Sequence, residues 1–272
     1  MLKLYPLYSG SSGNMYLIKS EASTILIDIG VSYKSLTSSL NALGMSINDV
    51  DALLITHEHI DHTQGFTTFV NKTNIPIYLT KKTLAYLVNK NEAKLKQAPN
   101  SNVIKQDDTF KIKDIWVTSM KISHDAVEPV SYHISSGGKS VTIATDLGYV
   151  TDDIYDHMKC SDISVIESNY DRNLLMYGPY TYPLKCRIQS DLGHLSNDDA
   201  SSLILKLANT GKRDFILGHL SKTNNEPDQA LFNVYETLTK NGYNTNEFNI
   251  SVATRNLSLE VYDLWQQLKL YV

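Results

Sequence analysis

One stretch constrains this chain more than any other: Asp51 to Thr56 (DALLIT), a largely apolar run of strand length, leads directly into His57-Glu58-His59-Ile60-Asp61-His62. Such a run reads as a strand covered on both faces. The chain therefore needs layers on either side of a sheet, and a histidine-rich loop emerges at that strand's carboxyl end. With 8 His in 272 residues, a chance His-x-His-x-Asp-His has a probability on the order of one in two thousand, which sets coincidence aside. Two His separated by one residue on an extended turn point to the same side, while Asp61 and His62 open a helix and point to a neighbouring position. One short segment can thus ligate two metals. Imidazole nitrogen with carboxylate oxygen suits zinc or manganese, and iron is also compatible.

Strand-length apolar segments open the chain at Lys3 to Tyr8, Met15 to Lys19 and Thr24 to Ile29, separated by SGSSGN and EAS turn clusters. Ser32 supplies an N-cap for a helical pattern to Leu43, and Gly44 stops it. After the histidine loop come a helix near Gln64 to Asn71, a strand Ile75 to Thr80 and a lysine-rich helix from Lys81 to Gln97. The segment Val103 to Ala144 returns to strands, including TFKI, IWVTSMKI, VSYHI and VTIAT. Further helices are expected near Asp152 to Met158, Asn197 to Ala208 (capped by Ser196) and Pro227 to Lys240. Between and after them lie strands at Ile163 to Glu167, Phe215 to Gly218, ISVA and LSLEVY. No linker or internal repeat divides the chain. The expected architecture is an α/β fold, an αββα sandwich of two mixed sheets with helices on the outer faces, as a single domain over residues 1–272.

Composition removes several function classes. Cys160 and Cys186 show no Cys-x-x-Cys spacing, which argues against thiolate zinc clusters and thioredoxin-type redox chemistry. The first residues lack a signal-peptide pattern, and no run of about 18 apolar residues occurs, so a cytoplasmic location without membrane contact is expected. A net charge of −4 does not make the whole molecule a polyanion binder; nucleic acid would be held by a local patch or by metal.

Further ligands are expected at other strand ends, because open α/β sheets bind ligands at their carboxyl edges. His124 follows IWVTSMKIS, Asp146 follows VTIAT, and His219 follows FILG. By contrast, His133 lies inside a strand and His157 inside a short helix, and both read as structural.

In their order, His57, His59, Asp61, His62, His124, Asp146 and His219 resemble the ligand motifs of the metallo-β-lactamase superfamily. More narrowly, SGSSGN, ILIDIG, THEHIDH, SHDAVEP, ATDLGY, ESNYD, LKCRIQSDLGHLSN and HLSKTNNEP resemble the YycJ/WalJ-type bacterial metal-dependent exonucleases. The resemblance implies His57, His59 and His124 on one divalent metal, Asp61, His62 and His219 on another, and Asp146 bridging. It also implies phosphodiester cleavage as a 5′-to-3′ DNA exonuclease. Two adjacent cations can share a bridging hydroxide near neutral pH and hold a phosphodiester's negative oxygens, so hydrolysis follows from the chemistry as well. Asp61 and His194 are the candidate catalytic residues. In related phosphodiesterases a histidine between the positions of Asp146 and His219 protonates the leaving oxygen, and His194 enters a helix whose N-terminus favours phosphate.

Other residues are weighed against ordinary alternatives. Asp28 precedes the ligand motifs and is expected to orient a ligand histidine through its ring N–H, against the alternative of a turn residue before Gly30. Lys185 and Arg187 are candidate substrate contacts, against surface ion pairing. The Ser9 to Asn14 loop reads as an ordinary turn more readily than an anion nest. Lys81, Lys82, Lys90, Lys94 and Lys96 read as a solvated helix face, and Tyr177, Tyr180 and Tyr182 as packing in a Pro-containing loop. Two other functions compete: thioester or lactam hydrolysis on the same fold, and a non-catalytic metal-stabilised module. The full donor set argues against the second, because a structural site closes around one metal.

Overall fold

The computed structural model describes residues 1–90, 100–264 and 268–271. In chain order the elements are β1 (Lys3–Tyr8), β2 (Met15–Lys19), β3 (Thr24–Ile27), α1 (Tyr33–Ala42), β4 (Ala52–Leu54), α2 (Ile60–Thr63), α3 (Phe66–Lys72), β5 (Ile77–Thr80), α4 (Lys81–Lys90) and β6 (Ser101–Ile104). There follow β7 (Thr109–Ile112), β8 (Ile115–Lys121), β9 (Val130–Ser136), β10 (Lys139–Ala144), α5 (Asp152–Cys160), β11 (Ile163–Glu167), α6 (Arg172–Tyr177) and α7 (Tyr182–Ile188). The last are α8 (Asn197–Ala208), β12 (Asp214–Gly218), α9 (Pro227–Lys240), β13 (Asn249–Val252), β14 (Glu260–Asp263) and β15 (Leu268–Tyr271). The strands form two mixed sheets accompanied by helices, the architecture expected from the sequence.

The chain divides into two compact units. The first holds the described residues within 1–121, 126–140 and 254–271. Its eight-stranded sheet has the order β15-β14-β1-β2-β3-β4-β5-β6, antiparallel from β15 to β3 and parallel from β3 to β6. The antiparallel strands β7, β8 and β9 also belong to this unit. Every residue of β3 and β4 is buried. Leu26, Leu53, Ile55, Phe66 and Phe69 sit in one apolar core, each burial contributing about 1.5–3 kcal/mol.

The second unit holds residues 122–125 and 141–253. Its parallel strands run β10-β11-β12-β13. Parallel pairing places all their carboxyl ends at one edge. Ser196 caps α8 by accepting from Asp199 N, and Asp199 returns a carboxylate to Ser196 N, forming a capping box. Helix α7 replaces part of the expected loop: Pro183 stands in its first turn, where a missing N–H is tolerated.

Expectations for Lys94 and Lys96 lie outside the described residues. Lys81, Lys82 and Lys90 are exposed on α4.

Candidate metal centre

The first unit builds its donors on the ends of two neighbouring parallel strands. Asp28 follows β3 and the histidine loop follows β4. The loop is seated by close backbone approach: Asn14 N donates to Asp61 O at 2.8 Å, Gly30 N to Asn14 O at 2.8 Å and Ile29 N to His62 O at 2.9 Å. A Cβ on Gly30 would stand 1.7 Å from Asp61 O, so no larger residue fits beneath the turn.

His57 Nε2 lies 3.1 Å from His59 Nδ1, close to the spacing of about 3.3 Å between two nitrogens bound tetrahedrally at 2.0–2.1 Å. Glu58, between them, faces elsewhere and accepts from Val127 N at 2.9 Å. Asp28 is buried beneath His62: its Oδ2 lies 2.7 Å from His62 Nδ1 and accepts from Thr56 Oγ1 at 2.8 Å, and its Oδ1 accepts from Thr56 N at 2.8 Å. That contact fixes a ring orientation in which His62 presents Nε2, 3.5 Å from Asp61 Oδ2. Burial pushes the Asp28 carboxyl above its ordinary value, and the His62 charge and hydrogen bonds only partly offset this.

The second unit gathers its donors at its parallel edge. Asp146 follows β10, Glu167 ends β11 and His219 follows β12, with Glu167 paired in register to Gly218. Asp146 and His219 both adopt the left-handed backbone region, with φ of 60° and 56°, a conformation non-glycine residues hold only where surrounding structure enforces it. His219 Nε2 and His124 Nε2 approach the same oxygen, Asp146 Oδ1, at 3.5 and 3.7 Å. Asp146, Glu167, His194 and His219 each offer a ligand atom, all within 4.8 Å of one another.

Glu167 was not foreseen. It is fully buried, and its Oε1 lies 2.8 Å from Nδ1 of both His194 and His219, while Oε2 accepts from Leu147 N at 2.6 Å. Burial pushes its carboxyl up, but the charges and hydrogen bonds of the two histidines outweigh this and hold it below the ordinary Glu value. Both rings are thereby turned with Nδ1 toward the carboxylate and Nε2 outward. Asn14 and Asn169 also escaped the sequence reading; Asn169 Nδ2 donates to His219 O at 2.9 Å.

The other candidates find varied surroundings. Lys185 Nζ donates to Met176 O and Gly178 O at 2.7 and 2.9 Å. Arg187 bonds through Nε to Asp125, the neighbour of His124. His133 sits in β9, and His157 lies 3.7 Å from Asp153 on α5. Neither belongs to a donor cluster among the described residues.

These donors fit a divalent cation of zinc, manganese or iron type: they are imidazole nitrogens and carboxylate oxygens, held in orientation by buried carboxylates. Both cysteines are exposed and outside the clusters.

Comparison with known proteins agrees with this geometry. Residues 23–220 match the family described as beta-lactamase superfamily domain. The chain is 35% identical over 234 residues to exodeoxyribonuclease WalJ of Streptococcus pneumoniae, covering 86% of this chain and 87% of that protein. It is 33% identical over 243 residues to exodeoxyribonuclease YycJ of Bacillus anthracis, covering 89% and 90%. In structure it is similar to the metallo-β-lactamase fold protein YhfI of Bacillus subtilis, with a TM-score of 0.71 at 15% identity, covering 97% of this chain and all of the other. The chain belongs to the β-lactamase superfamily and has the metallo-β-lactamase fold.

Proposed function

We propose that this chain is a dinuclear metal-dependent phosphodiesterase that degrades DNA as a 5′-to-3′ exonuclease, working as one hydrolase domain over residues 1–272. The observation that carries the reading is the pair of buried carboxylates, Asp28 and Glu167, that turn His62, His194 and His219 so that each presents Nε2. A binding module has no need of a histidine held in this way beside the ligand set. The curated names of the relatives at 33–35% identity support DNA as substrate.

His57, His59 and His124 are proposed to hold one cation, and Asp61, His62 and His219 the other, with Asp146 shared. When bound, two divalent cations make hydroxide available near neutral pH and neutralise the charge of a phosphodiester. Asp61, whose side chain is 20% exposed, orients the attacking water. His194 donates a proton from Nε2 to the departing oxygen, while Glu167 at Nδ1 holds the ring in that orientation. Arg187 exchanges Asp125 for a substrate phosphate, and Lys185 contributes its remaining N–H. Among the described residues no helix is long and apolar enough to cross a membrane, and a cytoplasmic location is part of the proposal.

The test is digestion of end-labelled single- and double-stranded DNA and RNA, carrying 5′-phosphate or 5′-hydroxyl, with Mn²⁺ or Zn²⁺. Stepwise shortening of DNA from the 5′ end is expected. Efficient cleavage of a thioester with DNA left intact would overturn the reading.

A further inference from the structure

Beside His194, wholly within the second unit, the surface opens into a cleft of about 680 Å³. That size is within the range of about 300–1,000 Å³ typical of small-molecule sites. Its lining includes Tyr149, Tyr155, Tyr170, Arg172 and Lys206. None of these residues is used by the metal centre.

Tyr170 is the telling member. Its residue is only 3% exposed, and it lines the cleft with a hydroxyl that makes no hydrogen bond to any described residue. The hydroxyl is not sealed in the interior but meets the cleft, where it is open to an incoming ligand. Burial pushes the phenol up to about 12, so it remains a hydrogen-bond donor across the physiological range. Lys206 is a second unengaged donor: it is exposed on α8 and has no ion pair or hydrogen bond to a described residue. Asp199, Ser202, Leu203 and Lys206 recur at helical spacing, so one face of α8 forms a wall of the cleft.

Arg172 donates through Nε to Asp198 at 2.9 Å and through Nη2 to both oxygens of Asp199 at 3.1 Å. Its side chain is 51% exposed, and exposed pairs of this kind contribute only about 0–1 kcal/mol, so a phosphate can share or displace them. Tyr149, 49% exposed at the cleft, offers a ring on which a base can stack. The cleft also carries Asp152, Asp191 and Asp199, which repel a bare dianion but accept hydrogen bonds from a nucleoside. The combination selects a phosphate attached to a sugar and base.

We propose that this cleft binds the nucleoside monophosphate on the leaving side of the scissile bond, its phosphate on Tyr170, Arg172 and Lys206 and its base against Tyr149 and Tyr155. The inference rests on the nuclease reading, in which His194 protonates the leaving oxygen. Hydrolysis breaks the P–O3′ bond: the oxygen of water joins phosphorus, one proton passes to O3′, and the strand keeps a 5′-phosphate. The released nucleotide, with a free 3′-hydroxyl, is then the occupant of the cleft beside the proton donor.

The test is calorimetric titration of the purified protein, with its metals, by dAMP, deoxyadenosine and inorganic phosphate. Saturable binding of dAMP is expected, with the other two at least tenfold weaker. Tyr170→Phe and Lys206→Ala should each weaken dAMP about tenfold and raise KM for a 5′-phosphorylated oligonucleotide, with kcat changed less than threefold and the circular dichroism melt retained. If DNA is cleaved but dAMP binding ignores both substitutions, the nuclease reading stands and the subsite is wrong. If dAMP binding depends on both residues and no DNA is cut, the nucleotide site stands and the nuclease reading falls. Equal binding of deoxyadenosine and dAMP would overturn the phosphate contacts.

Discussion

Glu167 Oε1 lies 2.8 Å from His194 Nδ1, across 27 residues of sequence, and the same oxygen serves His219 Nδ1 at the same distance. One buried carboxylate therefore governs the orientation of both a proposed proton donor and a proposed metal ligand. Replacing Glu167 by Gln removes the negative charge and leaves one acceptor for two imidazoles. Metal affinity should fall about 10–100-fold, the usual effect of losing such a supporting partner, and turnover should fall with it. Metal titration and steady-state kinetics on the variant check this; unchanged values of both would show that Glu167 orients neither ring.

His194→Ala separates proton donation from metal binding. The variant should retain near-normal metal content and fold, yet lose about 10²–10⁴-fold in turnover on an unactivated phosphodiester. Elemental analysis beside single-substrate kinetics gives both numbers. Loss of metal would make His194 a ligand instead, and full activity would remove it from the mechanism.

Asp28→Asn isolates charge from backbone geometry. Asp28 has φ of 60°, a conformation Asn also tolerates, so the chain can keep its path while the carboxylate behind His62 is lost. Occupancy of the cation assigned to Asp61, His62 and His219 should weaken about 10–100-fold, with the other retained more firmly. Competition with a chromophoric chelator measures the two occupancies; equal loss of both would contradict the assignment of His62.

Gly30→Ala tests the seating of the histidine loop. Its Cβ would stand 1.7 Å from Asp61 O, so backbone must move. Overpacking of this kind costs about 1–3 kcal/mol or more. Denaturant melts should show that loss, and metal binding should suffer because the displaced turn carries Asp61 and His62.

Much of this arrangement could be read from the chain because its signals are local. His57, His59, Asp61 and His62 stand within six residues at the end of an apolar strand, and helix α8 begins where Ser196 announces it. Helix α7 was hidden because Pro183 suggests a loop, although proline fits a first turn. Glu167 and Asn14 were hidden for another reason. Each looks unremarkable among its neighbours, and its partners arrive only through folding: His194 and His219 for Glu167, Asp61 and His62 for Asn14. Spacing along a chain cannot reveal contacts that parallel strands create between distant segments.

The most direct test of the central claim is time-resolved digestion of a 3′-end-labelled, 5′-phosphorylated DNA strand by the purified protein with Mn²⁺, with and without chelator. A ladder that shortens progressively from the 5′ end, abolished by chelator and restored by metal, is the result expected here. DNA left full length with every divalent metal, by a protein that binds two cations per chain, would contradict it.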